Sequence, residues 1–214
     1  MPSTIYNRPA RRERVSYYQF LHLKNKQICS GVLTLSSGGC PLPIFCALSS
    51  ILPSSNSIFQ LDLSDCLLTS ESLQVIIEVR LRMRVQIPYH IYKGLAKNTS
   101  VKSVYLKGNN ISGNTVVLIG RLLRLNCSIT RLSLEWNCVE LDQDCFAGLC
   151  AGLASNKGLQ VMDLRNNQLT HQAVIALSSA LRVNSTLKHL GNQEILQLIK
   201  PIMQAIKYNS ICNL

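Results

Sequence analysis

Apolar residues in this chain recur in a long beat. Short clusters of the form LxxLxLxxN alternate with stretches in which apolar positions fall three to five apart. The clusters read IFQLDLSDCLL from Ile58, VKSVYLKGNNI from Val101, ITRLSLEWNCV from Ile129 and LQVMDLRNNQL from Leu159, with starts 43, 28 and 30 residues apart. A further copy opens at Leu187, 28 residues on. Counting from Ile111, apolar residues stand at offsets 5, 8 and 12 (Val116, Ile119, Leu123), Asn126 at 15 and the next strand at 18. The same offsets give Val174, Leu177, Leu181 and Asn184 from Leu169, and Phe146, Leu149, Leu153 and Asn156 from Leu141. Such offsets share one helical face, so each cluster predicts a strand and each following stretch a helix. A weaker unit precedes these, with Leu33, Leu35, Gly38 in the asparagine slot, then Phe45, Leu48 and Leu52.

A strand and a full helix in about 28 residues describe a leucine-rich repeat of the ribonuclease-inhibitor-like form. The predicted fold is α/β, a horseshoe solenoid with a concave parallel sheet and outer helices. No unit buries its own apolar face, so stability comes from stacking on neighbours. Asn109, Asn137 and Asn167 at the strand ends, with Cys66 in that slot in the second unit, are expected to bond buried backbone and are structural residues.

One stretch ignores the beat. From Leu68, Leu73 and Ile76 fall on phase, but Leu95 and Asn98 follow only after fifteen surplus residues, EVRLRMRVQIPYHIY. Residues 78–92 therefore read as an insertion within the helix of the second repeat. Its alternating RLRMRVQI suits an edge strand with a cationic face, while Pro88 would end or kink a helix. At the far end, LKHL at 187–190 lacks its second leucine and turn, which predicts a shortened last strand. The expected organisation is a poorly ordered basic extension at 1–29, repeats over 30–190, and a capping helix over 191–214 carrying Ile195, Leu198, Ile199, Ile202 and Ile206.

Charge alters this picture little. The net charge is +11, and six Lys or Arg against one Glu fall in residues 1–26, with five against one in 78–97. The repeat body is nearly balanced, so a basic tail and a basic loop are expected and no specific nucleic acid partner. No apolar run reaches the ~18 residues of a membrane span, and there is no secretory h-region. Nine cysteines without a CxxC and four histidines without ligand spacing give no metal site, and no cofactor motif occurs. Asp142 and Asp144 read as exposed turn carboxylates and Cys145 and Cys150 as core or flanking thiols, so no enzyme is expected. Sequons at Asn98, Asn110, Asn126 and Asn184 follow from the repeat grammar.

Function in such arrays sits on the variable positions of the strands. Tyr105, Lys107, Glu135, Trp136, Asp163 and Arg165, with Asp62 and Asp65 to their N-terminal side, form a candidate partner-binding stripe, since Trp, Tyr and Arg are favoured anchors. The bland alternative is a solvated sheet with incidental charge pairs.

At these positions LSDC (63–66), LKGNN (106–110), LEWN (134–137) and DLRNNQ (163–168) resemble, in order, the N-terminal repeats of the leucine-rich repeat-containing protein 45 family. The weight falls on Lys107-Gly108, Glu135-Trp136 and Arg165-Asn166, within residues 31–190 and outside the insertion. The resemblance implies a non-enzymatic, cytoplasmic scaffold at the centrosome or basal body, linked to cilium assembly, whose protein partners are centrosome-linker coiled-coil proteins such as rootletin. That family follows its repeats with a long coiled coil, and residues 191–214 carry no heptads. Two other readings remain. A repeat fragment of a GTPase-activating or innate-immune receptor regulator would need a nucleotide-binding domain or a catalytic arginine, and neither is recognisable. A ribonuclease-inhibitor-like blocker would need an acidic surface.

Overall fold

The computed structural model describes residues 31–35, 42–77 and 94–191. In chain order the elements are β1 (Val32–Thr34), α1 (Leu42–Ile51) running into a 3-10 turn (Leu52–Ser54), β2 (Gln60–Asp62), α2 (Ser70–Ile77), α3 (Gly94–Lys97), β3 (Ser103–Tyr105), α4 (Asn114–Leu125), β4 (Arg131–Ser133), α5 (Gln143–Ser155), β5 (Val161–Asp163), α6 (His171–Val183) and β6 (His189–Gly191). The six strands form one parallel sheet in sequence order. A parallel neighbour can be reached only if the connection returns the chain to its starting edge, so each helix runs back against its strand. This is a leucine-rich-repeat-like arrangement of sheet and helices.

Strand residues alternate between two faces. The central residues Leu33, Leu61, Val104, Leu132, Met162 and Leu190 stand in register across the sheet. From Leu61 onward they are buried, together with Leu63, Leu106, Leu134 and Leu164 two residues along. The helices close this layer with Phe45 and Leu48 from α1, Leu73 and Ile76 from α2, and Val116, Ile119 and Leu123 from α4. Phe146, Leu149 and Leu153 from α5, and Val174, Leu177 and Leu181 from α6, complete it. Each such side chain contributes about 1.5–3 kcal/mol by leaving water, and the core is continuous from unit to unit.

Helices α4 and α5 meet backbone to backbone. A Cβ on Gly120 would lie 2.5 Å from the Gly148 carbonyl oxygen, and one on Gly152 would lie 2.2 Å from that of Gly120. Within the second unit, α2 ends at Ile77 and α3 begins at Gly94, where a Cβ would lie 2.4 Å from the Ile76 carbonyl oxygen. The insertion expected at 78–92, the extension at 1–29 and the capping helix, apart from Gly191, lie outside the described residues. The last strand is not shortened. Gly191 pairs with Asp163 and its carbonyl accepts the Leu164 N–H at 2.9 Å, because a ladder needs backbone groups and not a second leucine. Among the described residues no helix is long and apolar enough to cross a membrane.

Candidate interaction surface on the sheet

On the face turned away from the helices, the fold places Asp62, Tyr105, Ser133, Asp163 and Gly191 side by side in register. Two residues further along, Ser64, Lys107, Glu135 and Arg165 leave the same strands. Three of the sequence-derived stripe residues meet at one carboxylate. Glu135 Oε2 lies 3.1 Å from Lys107 Nζ and 3.5 Å from Arg165 Nη2. Asp163 completes the chain, its Oδ2 2.6 Å from the same Arg165 nitrogen. The guanidinium is forked against Asp163, with Nε donating to both carboxylate oxygens at 3.0 and 3.1 Å. Hydrogen bonding and the negative charge of Asp163, then the charge of Glu135, raise the Arg165 pKa further above its usual range.

This network alternates in sign and sums to zero. Glu135 is largely covered, whereas the Lys107 and Arg165 heads are about half exposed. Its exposed pairs add little stability. What they do is fix two cationic heads on either side of a sunken carboxylate.

Trp136 stands next to Glu135 and is 58% exposed. Its backbone N–H donates to the Arg165 carbonyl at 3.1 Å, and its φ is +54°. The equivalent residues of the other units, Asp65, Gly108 and Asn166, share this left-handed conformation at φ of 54°, 66° and 57°. Glycine, asparagine and aspartate enter that region readily; for a bulky residue it costs roughly 1–2 kcal/mol. Tyr105 is half-buried between Asp62 and Ser133, so less of its ring is offered to a partner.

One residue beyond, the backbone is held by a ladder of amides. Asn137 Nδ2 donates to the carbonyls of Leu106, Leu134 and Glu135 at 3.0, 2.8 and 3.1 Å. Its Oδ1 accepts the N–H groups of Asn109 and Ile111 at 3.1 and 2.9 Å. Asn109 and Asn167 repeat the pattern toward Leu63 and Leu134. In the second unit the Cys66 thiol donates to the Leu35 carbonyl at 2.7 Å, while its N–H donates to Asn109. A second ladder at the helix ends, through Asn98, Asn126, Asn156 and Asn184, was not among the residues assigned a structural role from sequence. Asn126, for instance, donates to the carbonyls of Leu95 and Asn98, and Oδ1 accepts from Ser128 and Ile129. Its signal was the recurrent asparagine at offset 15. Asn98, Asn126 and Asn184 are buried, whereas Asn110 is exposed.

The other chemically suggestive groups are occupied. Asp142 caps α5 by accepting the Cys145 N–H at 3.1 Å, and this bond holds its carboxyl below the usual range. Burial raises the pKa of the Cys145 thiol and pushes that of Cys150 up to about 12, so neither is a ready thiolate. Glu140 spans a repeat boundary, its carboxylate accepting both the N–H and the hydroxyl of Thr170 at the start of α6. Beside it, Gln143, Phe146, Gln172, Ala173 and Ala176 line a pocket of about 160 Å³, small for an organic substrate. Among the described residues no group of three or more His, Cys, Asp or Glu could hold a metal ion.

No family model matches the chain. It is 35% identical over 136 residues to leucine-rich repeat-containing protein 45 of Gallus gallus, an alignment covering 64% of this chain and 18% of that protein. The match thus spans under a fifth of that relative's length. Among solved structures it is similar to the actin-binding site 2 domain of leiomodin-1, at a TM-score of 0.50 and 15% identity over 89% of this chain and 90% of that one. The C-terminal domain of a Caenorhabditis elegans tropomodulin matches at a TM-score of 0.42 and 15% identity, over 52% of this chain and 70% of that one. At these identities the leiomodin likeness concerns the fold.

Proposed function

We propose that this chain is a non-enzymatic protein-binding module of a centrosome-linker or ciliary scaffold, which takes a coiled-coil partner such as rootletin on the concave face of a horseshoe-shaped repeat array. The observation that carries the reading is Trp136, an indole exposed to water on a backbone conformation that the neighbouring units give to Gly, Asn or Asp. Strain held at an exposed aromatic has no packing return, and aromatic residues beside arginine are the usual anchors of a protein interface. Lys107 and Arg165, pre-positioned around Glu135, would set the register of an incoming helix while Asp163 and Tyr105 border it. The link to the centrosome is what the resemblance to the leucine-rich repeat-containing protein 45 family implies, and the 35% identity to the Gallus gallus protein of that name supports the relation.

Proximity labelling in cells with the full chain tests the assignment. Enrichment of centriolar coiled-coil proteins, lost in the Trp136→Ala variant, is the expected result. Labelling of small GTPases or immune receptors in their place would favour a regulatory repeat fragment.

A further inference from the structure

Because every helix runs back against its strand, the array has two rims. One carries the strand starts and helix ends, and the other the strand ends and helix starts. Asp62, Asp65, Glu135, Glu140, Asp142, Asp144 and Asp163 all fall on the second rim. Lys107 and Arg165, the cations there, are tied to Glu135 and Asp163. The first rim carries Lys97, Arg124 and Arg182 at helix ends, Lys102, Arg131 and Lys188 at strand starts, and Lys157 between α5 and β5, all exposed. No described acid lies among them.

Helix ends attract cations through the helix dipole, which accounts for Lys97, Arg124 and Arg182. It does not account for the three at the strand starts, where neighbouring strands are only ~4.8 Å apart. The same rim exposes apolar side chains. Leu125 and Val183, each following an arginine in the sequence, are 51% and 70% exposed, and Phe59 is 49% exposed where it enters β2.

We infer that the strand-start rim is a second interaction surface, distinct from the Trp136 face, and that it binds an acidic polypeptide segment bearing spaced aliphatic residues. Carboxylates on such a segment meet the lysines and arginines, and its apolar residues cover Leu125 and Val183. A polyphosphate has no use for these aliphatic positions, and a single strand of nucleic acid would ask for stacked rings where the rim offers Phe59. A bilayer would ask for clustered apolar residues, whereas Leu125 and Val183 lie on α4 and α6 with α5 between them.

The test is fluorescence anisotropy of the full chain with a labelled synthetic peptide of alternating Glu-rich and Leu positions, at about 150 mM salt. Polyuridylate and phosphatidylserine vesicles serve as competitors. Saturable binding is expected, weakened at least about tenfold by the combined Lys102→Glu, Arg131→Glu and Lys188→Glu changes and also by Leu125→Ser with Val183→Ser, and unmoved by Trp136→Ala. A thermal melt of each variant accompanies the titration. Should the triple variant melt early, the single Lys188→Glu change, expected to weaken binding less, replaces it. Peptide affinity that ignores these charge reversals would overturn the proposal, as would polyuridylate or vesicles displacing the peptide at lower concentration than the unlabelled peptide itself.

Discussion

The turns that leave β3 and β4 open on the same backbone shape and carry different residues. Each passes through a left-handed residue and then an asparagine whose amide bonds three carbonyls: Gly108 and Asn109 in the first, Trp136 and Asn137 in the second. In both, the left-handed residue donates its N–H to the next unit, Gly108 to Glu135 and Trp136 to Arg165. The fold therefore asks for a backbone shape at this position, and glycine supplies it without strain. The indole adds nothing to that shape. A position the architecture would fill more cheaply is where selection for binding is most readily read, while the asparagine beside it answers to the architecture alone.

Variants at these paired positions should separate the two demands. The largest effect is expected at Asn137→Ala, which leaves the N–H groups of Asn109 and Ile111 without their partner and takes one of two amide donors from the Leu106 and Leu134 carbonyls. A loss of about 3 kcal/mol is expected from a urea melt, since each buried orphan costs about 1–3 kcal/mol and some relax onto water. Next is Gly108→Ala, which imposes left-handed strain and brings a Cβ to 2.0 Å from Asp65 Oδ1. The carboxylate can swing aside, so about 1–2 kcal/mol is expected. At the matching site Trp136→Gly should change sign, raising the midpoint by up to about 1 kcal/mol as strain is released against added chain entropy. A drop comparable to that of Asn137→Ala would mean that the indole packs.

The smallest effect concerns the insertion. Asn98 joins the helix-end ladder, donating to the carbonyls of Leu52 and Ser55, and Gly94 abuts the Ile76 carbonyl. Joining Ile77 to Lys93 by deleting 78–92 should therefore shift the midpoint by less than about 0.5 kcal/mol, because loop entropy changes slowly with length. Loss of cooperativity in the melt would contradict that.

Much of the fold was legible because the repeat is written in residue types that packing and the amide ladders require. The leucines of each strand and the asparagines at 109, 137 and 167 can be read at fixed spacing. The candidate site was legible in part. Charges at 107, 135, 163 and 165 could be placed on one face by register, but their convergence on Glu135 depends on side-chain reach, which spacing does not encode. The left-handed turn at Trp136 was hidden by the tryptophan itself, although Asp65, Gly108 and Asn166 at the matching positions are the types that tolerate it. Glu140 was hidden differently: it lies in the turn that is two residues longer than its counterparts, and its partner Thr170 belongs to the next unit. Charge counts along the chain also concealed the two rims, because segregation appears only once the helices are folded back against the strands.

The most direct test of the central claim measures binding and stability on the same variant. Trp136→Ala keeps the strained backbone and a Cβ while removing the indole. Its denaturant midpoint should match the parent's within about 0.5 kcal/mol, while capture of the proposed coiled-coil partner falls by at least about tenfold. Unchanged capture, or a midpoint that falls in step with it, would contradict the assignment of Trp136 as a binding residue.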